Sequence, residues 1–355
     1  MKKQLYHALK AFSALTLFSL TFSSCKKLDK NGVNRIEFST FPTEEKISFQ
    51  NLFEFKAGTA YKIYSVDSTL ILFNVHGEKD FFFYNYSIKN KSLSKGFLKY
   101  GRGPGEVLGA FSTGINSKTL WVYDITLKKV IAFDRNKVLL QEKNPAFQEY
   151  PIDNSFYQID LKDDLTFLSV GNIQSKHKIQ HIDLKSSKTI SEYGTFDNIP
   201  NDIPFTTYKS MQDGFLFTRP SGDKTVFFNL YTDKVEIFNS KKQVISQTIG
   251  PEGFEADMDV YDRDQQSRAA VNTKTRFAFL NGAVTQKFIY LLYSGNLYHS
   301  EFLDYGNEIF VYDWEGNPVK KLLLDRHINS FTVTADNNII YASDPNTGYI
   351  IQTKK

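Results

Sequence analysis

Five times in this chain a short apolar run closes on an aromatic or isoleucine followed by Asp or Asn: FFFYN (81–85), VIAFD (130–134), IQHID (179–183), VEIFN (235–239) and IFVYD (309–313). The closing residues Asn85, Asp134, Asp183, Asn239 and Asp313 stand 49, 49, 56 and 74 positions apart. A unit of this size, built from short β-type runs and turn residues, cannot bury its apolar faces alone. Arranged side by side around an axis, such units form a toroid of four-stranded blades. The pattern predicts an all-β chain, a six-bladed β-propeller of four-stranded antiparallel blades.

With each such run as a third strand, a short apolar second strand should precede it. TLILFNV (69–75), TLWVYD (119–124), LTFLSVG (165–171), VFFNLY (226–231), FIYLLYSG (288–295) and NIIYASD (338–344) fill that place, and YIIQT (349–353) follows the last as a sixth third strand. Polar turns at 135–137, 240–242 and 315–317 carry the residues that bend or satisfy a backbone. Fourth strands are expected after them at KVLLQE (137–142), QVISQTI (243–249) and VKKLLL (319–324). Inner strands are expected at KIYSVD (62–67), FSTGIN (111–116), SFYQID (155–160), TTYKSM (206–211) and SFTVTA (330–335). The sixth unit lacks an outer strand of its own, so an N-terminal strand is expected to close the ring. VNRIEF (33–38) is placed to do so, which would leave no sheet edge open.

Ahead of the propeller, Lys2 and Lys3 precede an apolar stretch, Ala11 to Phe22, that ends in Ser23, Ser24 and Cys25. A basic start, a short apolar middle and a small-residue end read as a signal peptide. The stretch is too short and too interrupted by Ser and Thr for a transmembrane span, and no other run approaches about 18 apolar residues. Cys25 is the single cysteine, so no intrachain disulfide is available. Its position resembles a bacterial lipoprotein signal, in which the cysteine becomes the lipidated first residue; Phe22 departs from the Leu commonest there, and an ordinary secretory signal is the alternative. The expected organisation is a signal peptide at 1–24, a tether at 25–32 and one propeller domain at 33–355. The expected address is the outer membrane through a lipid anchor, with the periplasmic side favoured because Lys26 and Lys27, not acids, follow Cys25. Removing 1–24 takes away Lys2, Lys3 and Lys10 and no acid, so the formal net charge falls from +4 to +1. With no dense Lys/Arg patch either, nucleic acid is not an expected partner.

The most distinctive local string is KYGRGPGE (99–106). As a phosphate loop it fails, because Pro104 has no amide hydrogen, no Lys-Ser/Thr follows, and a strand comes next where a helix N-terminus would be needed. Its glycines suit a tight crossing from the outer strand of one blade to the inner strand of the next, and IGPEGFE (249–255) echoes it after the fourth unit. A blade running from an outer strand into GRGPGE, an inner strand, LWVYD and VIAFD resembles the six-bladed propellers of the TolB-like and NHL-like kind, especially lipoproteins of Bacteroides-like bacteria. The resemblance covers most of the mature chain; it implies a toroid on a lipid anchor and, for most members, no assigned reaction. EYGTFDNIPNDIP (192–204) lacks the GRGPGE echo, and 251–287 is unusually long before the fifth unit.

Enzyme and metal signatures mostly fail. SGDKT (221–225) lacks the Gly and Trp of a sialidase Asp box, and no G-x-S-x-G elbow occurs. His177 and His181 would stand about 13 Å apart on a strand, too far for one metal. DMDVYDRD (257–264) has Asp262 and Tyr261 where a calcium loop needs Gly and a ligand. No cofactor and no metal is expected. Propeller geometry is more informative: outer-to-inner crossings and second-to-third-strand loops emerge on one face, and GRGPGE, 192–204, 251–287 and 295–307 all belong to those classes. Elaborated loops are where binding resides. Candidate ligand-binding residues are Arg102, Glu106, Tyr261, Tyr298, His299, Glu301, Asp304 and Tyr305, with Arg102 alternatively an inter-blade clamp.

Three functions fit this pattern. The leading one is a membrane-anchored, non-enzymatic module that binds a protein or glycan of the cell envelope. A carbohydrate-active enzyme would need carboxylates at the channel mouth, for which Glu106, Asp257, Glu301 and Asp304 with His299 are the candidates. A structural ring without a ligand is the third.

Overall fold

A blade stacked between two neighbours covers both faces of its middle strands, so those strands need continuous apolar runs rather than alternation. The second strands read this way: Thr119–Asp124 is buried at every position, and Thr69–Asn74, Lys224–Asn229 and Phe288–Tyr293 at all but the first. The structure is a computed structural model that describes residues 24–354 except 30–31, 75–80, 142–144, 164, 173 and 264–265. Most of the signal segment thus lies outside the described residues.

Six antiparallel sheets follow in chain order. Blade one holds Ala60–Val66, Thr69–Asn74, Phe83–Ser87 and Ser92–Leu93. Blade two holds Ala110–Ile115, Thr119–Asp124, Lys129–Asp134 and Phe147–Pro151. Blade three holds Gln158–Leu161, Thr166–Val170, Ile179–Asp183 and Thr189–Tyr193. Blade four holds Gly214–Thr218, Lys224–Asn229, Lys234–Asn239 and Val244–Ile249. Blade five holds Phe279–Val284, Phe288–Tyr293, Gly306–Asp313 and Pro318–Ile328. Blade six takes Ser330–Val333, Ile340–Asp344 and Tyr349–Thr353 from the C-terminal end, and Phe49–Glu54 from the other.

Apolar clusters occupy every junction between neighbouring blades. Ile71, Phe83, Val122 and Ile131 join blades one and two, Tyr123, Ile159 and Phe167 join two and three, and Leu168, Leu216 and Phe227 join three and four. Phe228, Ile237, Leu291 and Phe310 join four and five, Ile309, Leu322, Phe331 and Ile351 join five and six, and Ile63, Leu72 and Tyr341 close the circle. Around the axis the inner strands are also stitched by polar contacts: Ser112 Oγ donates to Ile159 O (3.1 Å), the Gln158 amide pairs with both backbone groups of Leu216, and Ser330 Oγ donates to Ala60 O.

The repeating Asp/Asn has a local cause. Asp134 accepts from Asn136 N, Asp183 from Ser186 N, Asn239 from Lys241 N and Gln243 N, and Asp313 from Glu315 N and Asn317 N. Each side chain turns the backbone out of the third strand. Asn85 departs from the set: it sits inside its strand, buried, and donates to Val138 O (2.6 Å).

Three expected strands move. VNRIEF does not close blade six; Asn34–Phe38 runs parallel along Val244–Ile249 on the outside of blade four, and beside it lies Ser24–Leu28, which spans the expected end of the signal peptide and the start of the expected tether. Its alternation buries Ile36 and Phe38, and Phe38 packs on Phe41 and Tyr312. Closure falls to Phe49–Glu54, whose Phe49 is 1% exposed. KVLLQE is not a strand, because the Asp134 carboxylate caps a helical turn over Arg135–Leu139; the fourth strand comes later, at 147–151. TTYKSM is a helix, Phe205–Met211, opened by Pro204 and burying Thr207 and Met211 four residues apart. The inner strand of blade four starts instead at Gly214. Within the segment that failed as a calcium loop, Met258–Arg263 forms a hairpin strand against Gln266–Val271.

Candidate functional site at the channel mouth

The six inner strands enclose a channel, and their alternation decides its lining. On the face that carries the outer-to-inner crossings, the channel opens into a cavity of about 550 Å³. Every blade contributes to it: Tyr61 and Lys62, Phe111 and Thr113, Tyr157 and Gln158, Phe215, Phe277 and Asn281, and Asn329. Below Lys62, Thr113 and Gln158 a second compartment of about 300 Å³ continues to the opposite face, lined by Tyr64, Asp160, Phe217 and Thr332 among others. The upper mouth is aromatic and partly wet, with Tyr61, Phe111 and Tyr157 all substantially exposed. Phe111 and Tyr157 face each other at 6.2 Å.

Two of the sequence candidates meet there. Asp304 and Tyr305, from the second-to-third-strand loop of blade five, line the mouth; beside them the Tyr61 phenol is raised by burial, by Tyr305 and by Asp304. Tyr298 lies one layer out, stacked on the mouth residue Phe277 at 6.4 Å, with His299 against its ring. Glu301 is exposed outside the cavity lining, and Tyr261 is exposed on the hairpin. Neither Arg102 nor Glu106 reaches the mouth. Glu106 turns back to accept from Gly103 N (2.8 Å), organising its own crossing. Arg102 is exposed, and no ion pair holds it as a clamp among the described residues. Gly105, at φ +70°, donates to Glu149 Oε1 across to blade two's outer strand, and a Cβ there would sit 2.7 Å from the Phe147 ring. The glycines therefore serve the crossing.

Two charged groups at the site escaped the sequence reading because nothing local marks them. Lys62 projects into the channel, where its Nζ hydrogen-bonds Asn281 Oδ1 of blade five and lies 5.6 Å from the Phe217 ring centre. Burial, with no carboxylate to offset it, lowers its pKa to about 8. Asp213, just ahead of the inner strand of blade four, shares a hydrogen bond with the mouth residue Tyr157. Burial raises its pKa to about 8 against the opposing pull of Lys209. Lys209, on the helix, is itself lowered to about 8 by burial and donates to Asn172 O, Ser175 O and His177 O at 2.6–2.9 Å. That ammonium pins a blade-three loop beside the mouth. In the lower compartment burial lifts Asp160 to about 6, although Thr218 N donates to it at 2.8 Å.

The remaining motifs resolve as architecture. SGDKT is the hairpin turn between Gly214–Thr218 and Lys224–Asn229, with Gly222 at φ +76°. Asp257 and Asp259 both accept from the Asn272 amide. His181 lies on the third strand of blade three, its imidazole pKa lowered by burial and by Lys242 and Lys162.

A TolB-like 6-blade propeller model matches residues 37–336. The chain belongs to this TolB-like six-bladed propeller family. Among solved structures, a putative exported protein of Bacteroides fragilis aligns at a TM-score of 0.54 and 12% identity, over 90% of this chain and all of that one. The Cps50 (Swd1) β-propeller domain of Myceliophteria thermophila aligns at 0.49 and 9% identity, over 86% and 99%. At 12% identity the likeness to the Bacteroides fragilis protein shows a shared fold and nothing finer. No curated protein matches its sequence.

Proposed function

We propose that this TolB-like propeller is a non-enzymatic binding module, held at the outer membrane by a lipid on Cys25 and capturing a protein or glycan of the cell envelope at the upper channel mouth. The observation that carries the reading is the vestibule of about 550 Å³, to which all six blades contribute and in which Tyr61, Phe111 and Tyr157 present aromatic surface to solvent beside the half-buried Tyr305. Exposed aromatics around a concavity with a few fixed polar groups are the usual equipment of a recognition site. The signal-like segment ending at Cys25 supports the address. Binding of the full chain to an envelope-glycan array and to envelope extract, with Tyr305→Ala and Tyr157→Ala alongside, tests this. Loss of a ligand in both variants with folding intact is expected; equal capture by wild type and variants refutes the mouth as the site.

One observation favours a second reading, a carbohydrate-active enzyme. Asp213, kept protonated near neutrality and bonded to Tyr157 at the mouth, has the character of a general acid. Turnover of an envelope glycan that Asp213→Asn abolishes, without loss of glycan binding, would establish it.

A further inference from the structure

The mouth assigns a place for a ligand but not its chemistry; Lys62 does. It sits at the floor of the upper compartment and the roof of the lower one, the single cation lining either among the described residues. Its only hydrogen-bond acceptor among those residues is Asn281 Oδ1, which also accepts from Gly282 N. An ammonium carries three donors, and among the described residues one acceptor serves all three. The contrast with Lys209 is informative: that buried ammonium spends all three donors on carbonyls and is architectural. Lys178, the other deeply buried lysine, is paired with Glu236. Lys62 has neither arrangement, and an ammonium set in the channel with one protein acceptor costs stability unless something else is served.

We propose that Lys62 is an anion seat, and that ligands of this propeller enter by the upper mouth and place a carboxylate against its free N–H donors while their bodies rest on the aromatic vestibule. The proposal deepens the binding reading above and rests on it. The remaining charges permit it: Asp304 stands exposed at the rim, where water screens it, and Asp160 belongs to the lower compartment, beyond Lys62. A carboxylate fits better than a neutral group, because charge-assisted bonds to a desolvated ammonium are about twice as strong as neutral ones. An acidic sugar and a peptide end both supply such a carboxylate, so both are probed.

The full chain in detergent at pH 7 and fixed ionic strength is titrated calorimetrically with sodium D-glucuronate and N-acetyl-L-alanine, and with their neutral counterparts glucose and N-acetyl-L-alanine amide. At least one acid should bind on the order of ten- to a hundredfold more tightly than its neutral partner, the range for a hydrogen bond to a charged group. The acid that binds identifies the source. Lys62→Met, which removes a buried charge and should fold at least as well, should erase the preference. Asn281→Asp should erase it too, by setting a carboxylate on the ammonium while keeping the lysine. Equal binding of acid and neutral probes, an acid preference that survives in Lys62→Met, or no binding of any probe overturns the anion seat. If in the last case Tyr305-dependent capture of an envelope ligand persists, the mouth reading stands and the carboxylate inference alone falls.

Discussion

Replacing Glu236 by Gln should weaken the ring at one junction by an amount the geometry sets. Lys178 of blade three and Glu236 of blade four meet at 2.5 Å with side-chain exposures of 5% and 1%. Glu236 also accepts from the Gln247 amide at 2.7 Å, and the Lys178 ammonium lies over the Phe196 and Phe227 rings. Burial pushes the Glu236 carboxyl up, but Lys178, Lys234 and the hydrogen bonds outweigh it and hold the group ionised below its ordinary range. Glu236→Gln keeps the shape and strands the ammonium, which for a buried pair costs about 3–5 kcal/mol. With an unfolding entropy of roughly 2.1 cal/mol/K per residue over about 330 residues, that is a fall of about 4–7 °C in Tm. Lys178→Met in the Glu236→Gln background should recover most of the loss, because no charge is left behind. The carboxylate's folded pKa is depressed, so its contribution is present above its unfolded value near 4.5 and lost as pH falls through the folded value. Wild type and Glu236→Gln should therefore converge in acid. Scanning calorimetry of the wild type and the two variants between pH 3 and 8 measures all of this. A Tm change under about 1 °C in Glu236→Gln, or no recovery in the double variant, refutes the argument that the pair is buried and coupled.

Further outcomes follow from other parts of the ring. Cys25→Ser should move the protein from the membrane to the soluble fraction of its host, and membrane retention would remove the lipid anchor from the reading. Deletion through residue 38 should lower Tm, since Ile36 and Phe38 are buried, yet leave one cooperative transition; deletion through residue 54 removes the strand that closes blade six and should abolish folding, so survival of a sharp transition in the longer deletion would sink the closure assignment. Arg102→Ala should change stability by no more than about 0.5 kcal/mol, as for any exposed side chain, and a loss of 2 kcal/mol or more would restore the clamp. Asp213 has its pKa raised in the fold from 3.8 to about 8, so the native state keeps a proton there that the unfolded chain releases above about pH 4. Its contribution is therefore full in acid and declines as pH rises towards 8. Tm profiles of the wild type and Asp213→Asn should diverge across that window to the wild type's disadvantage, and parallel profiles would contradict the buried, protonated carboxyl.

The sequence by itself determined the toroid. Runs such as TLWVYD and VFFNLY are apolar at consecutive positions because stacked blades cover both faces, and the recurring Asp or Asn is legible because a side chain two to four residues ahead of a turn caps it locally. Both signals are short-range, so they survive in the linear order. What failed were segments whose state depends on partners far away. KVLLQE and TTYKSM stand where the unit spacing calls for strands, but a capping carboxylate opens a helical turn in one and a proline precedes the helix in the other. VNRIEF was the strand expected to close the ring; the pairing of Phe49–Glu54 with Tyr349–Thr353 closes it instead, while Asn34–Phe38 lies along the outer strand of blade four with Ile36 and Phe38 buried. The elaborated face pointed to Asp304 and Tyr305, which line the mouth, and equally to Arg102, Glu106, Tyr261, Tyr298, His299 and Glu301, which stand outside its lining. Lys62, which lines the mouth, and Asp213, buried behind its Tyr157, belong to no motif. Convergence of six inner strands on one axis placed Lys62 against Asn281, 219 residues away, and burial changed what each charge costs. That is a property of the closed ring and of no stretch of the chain.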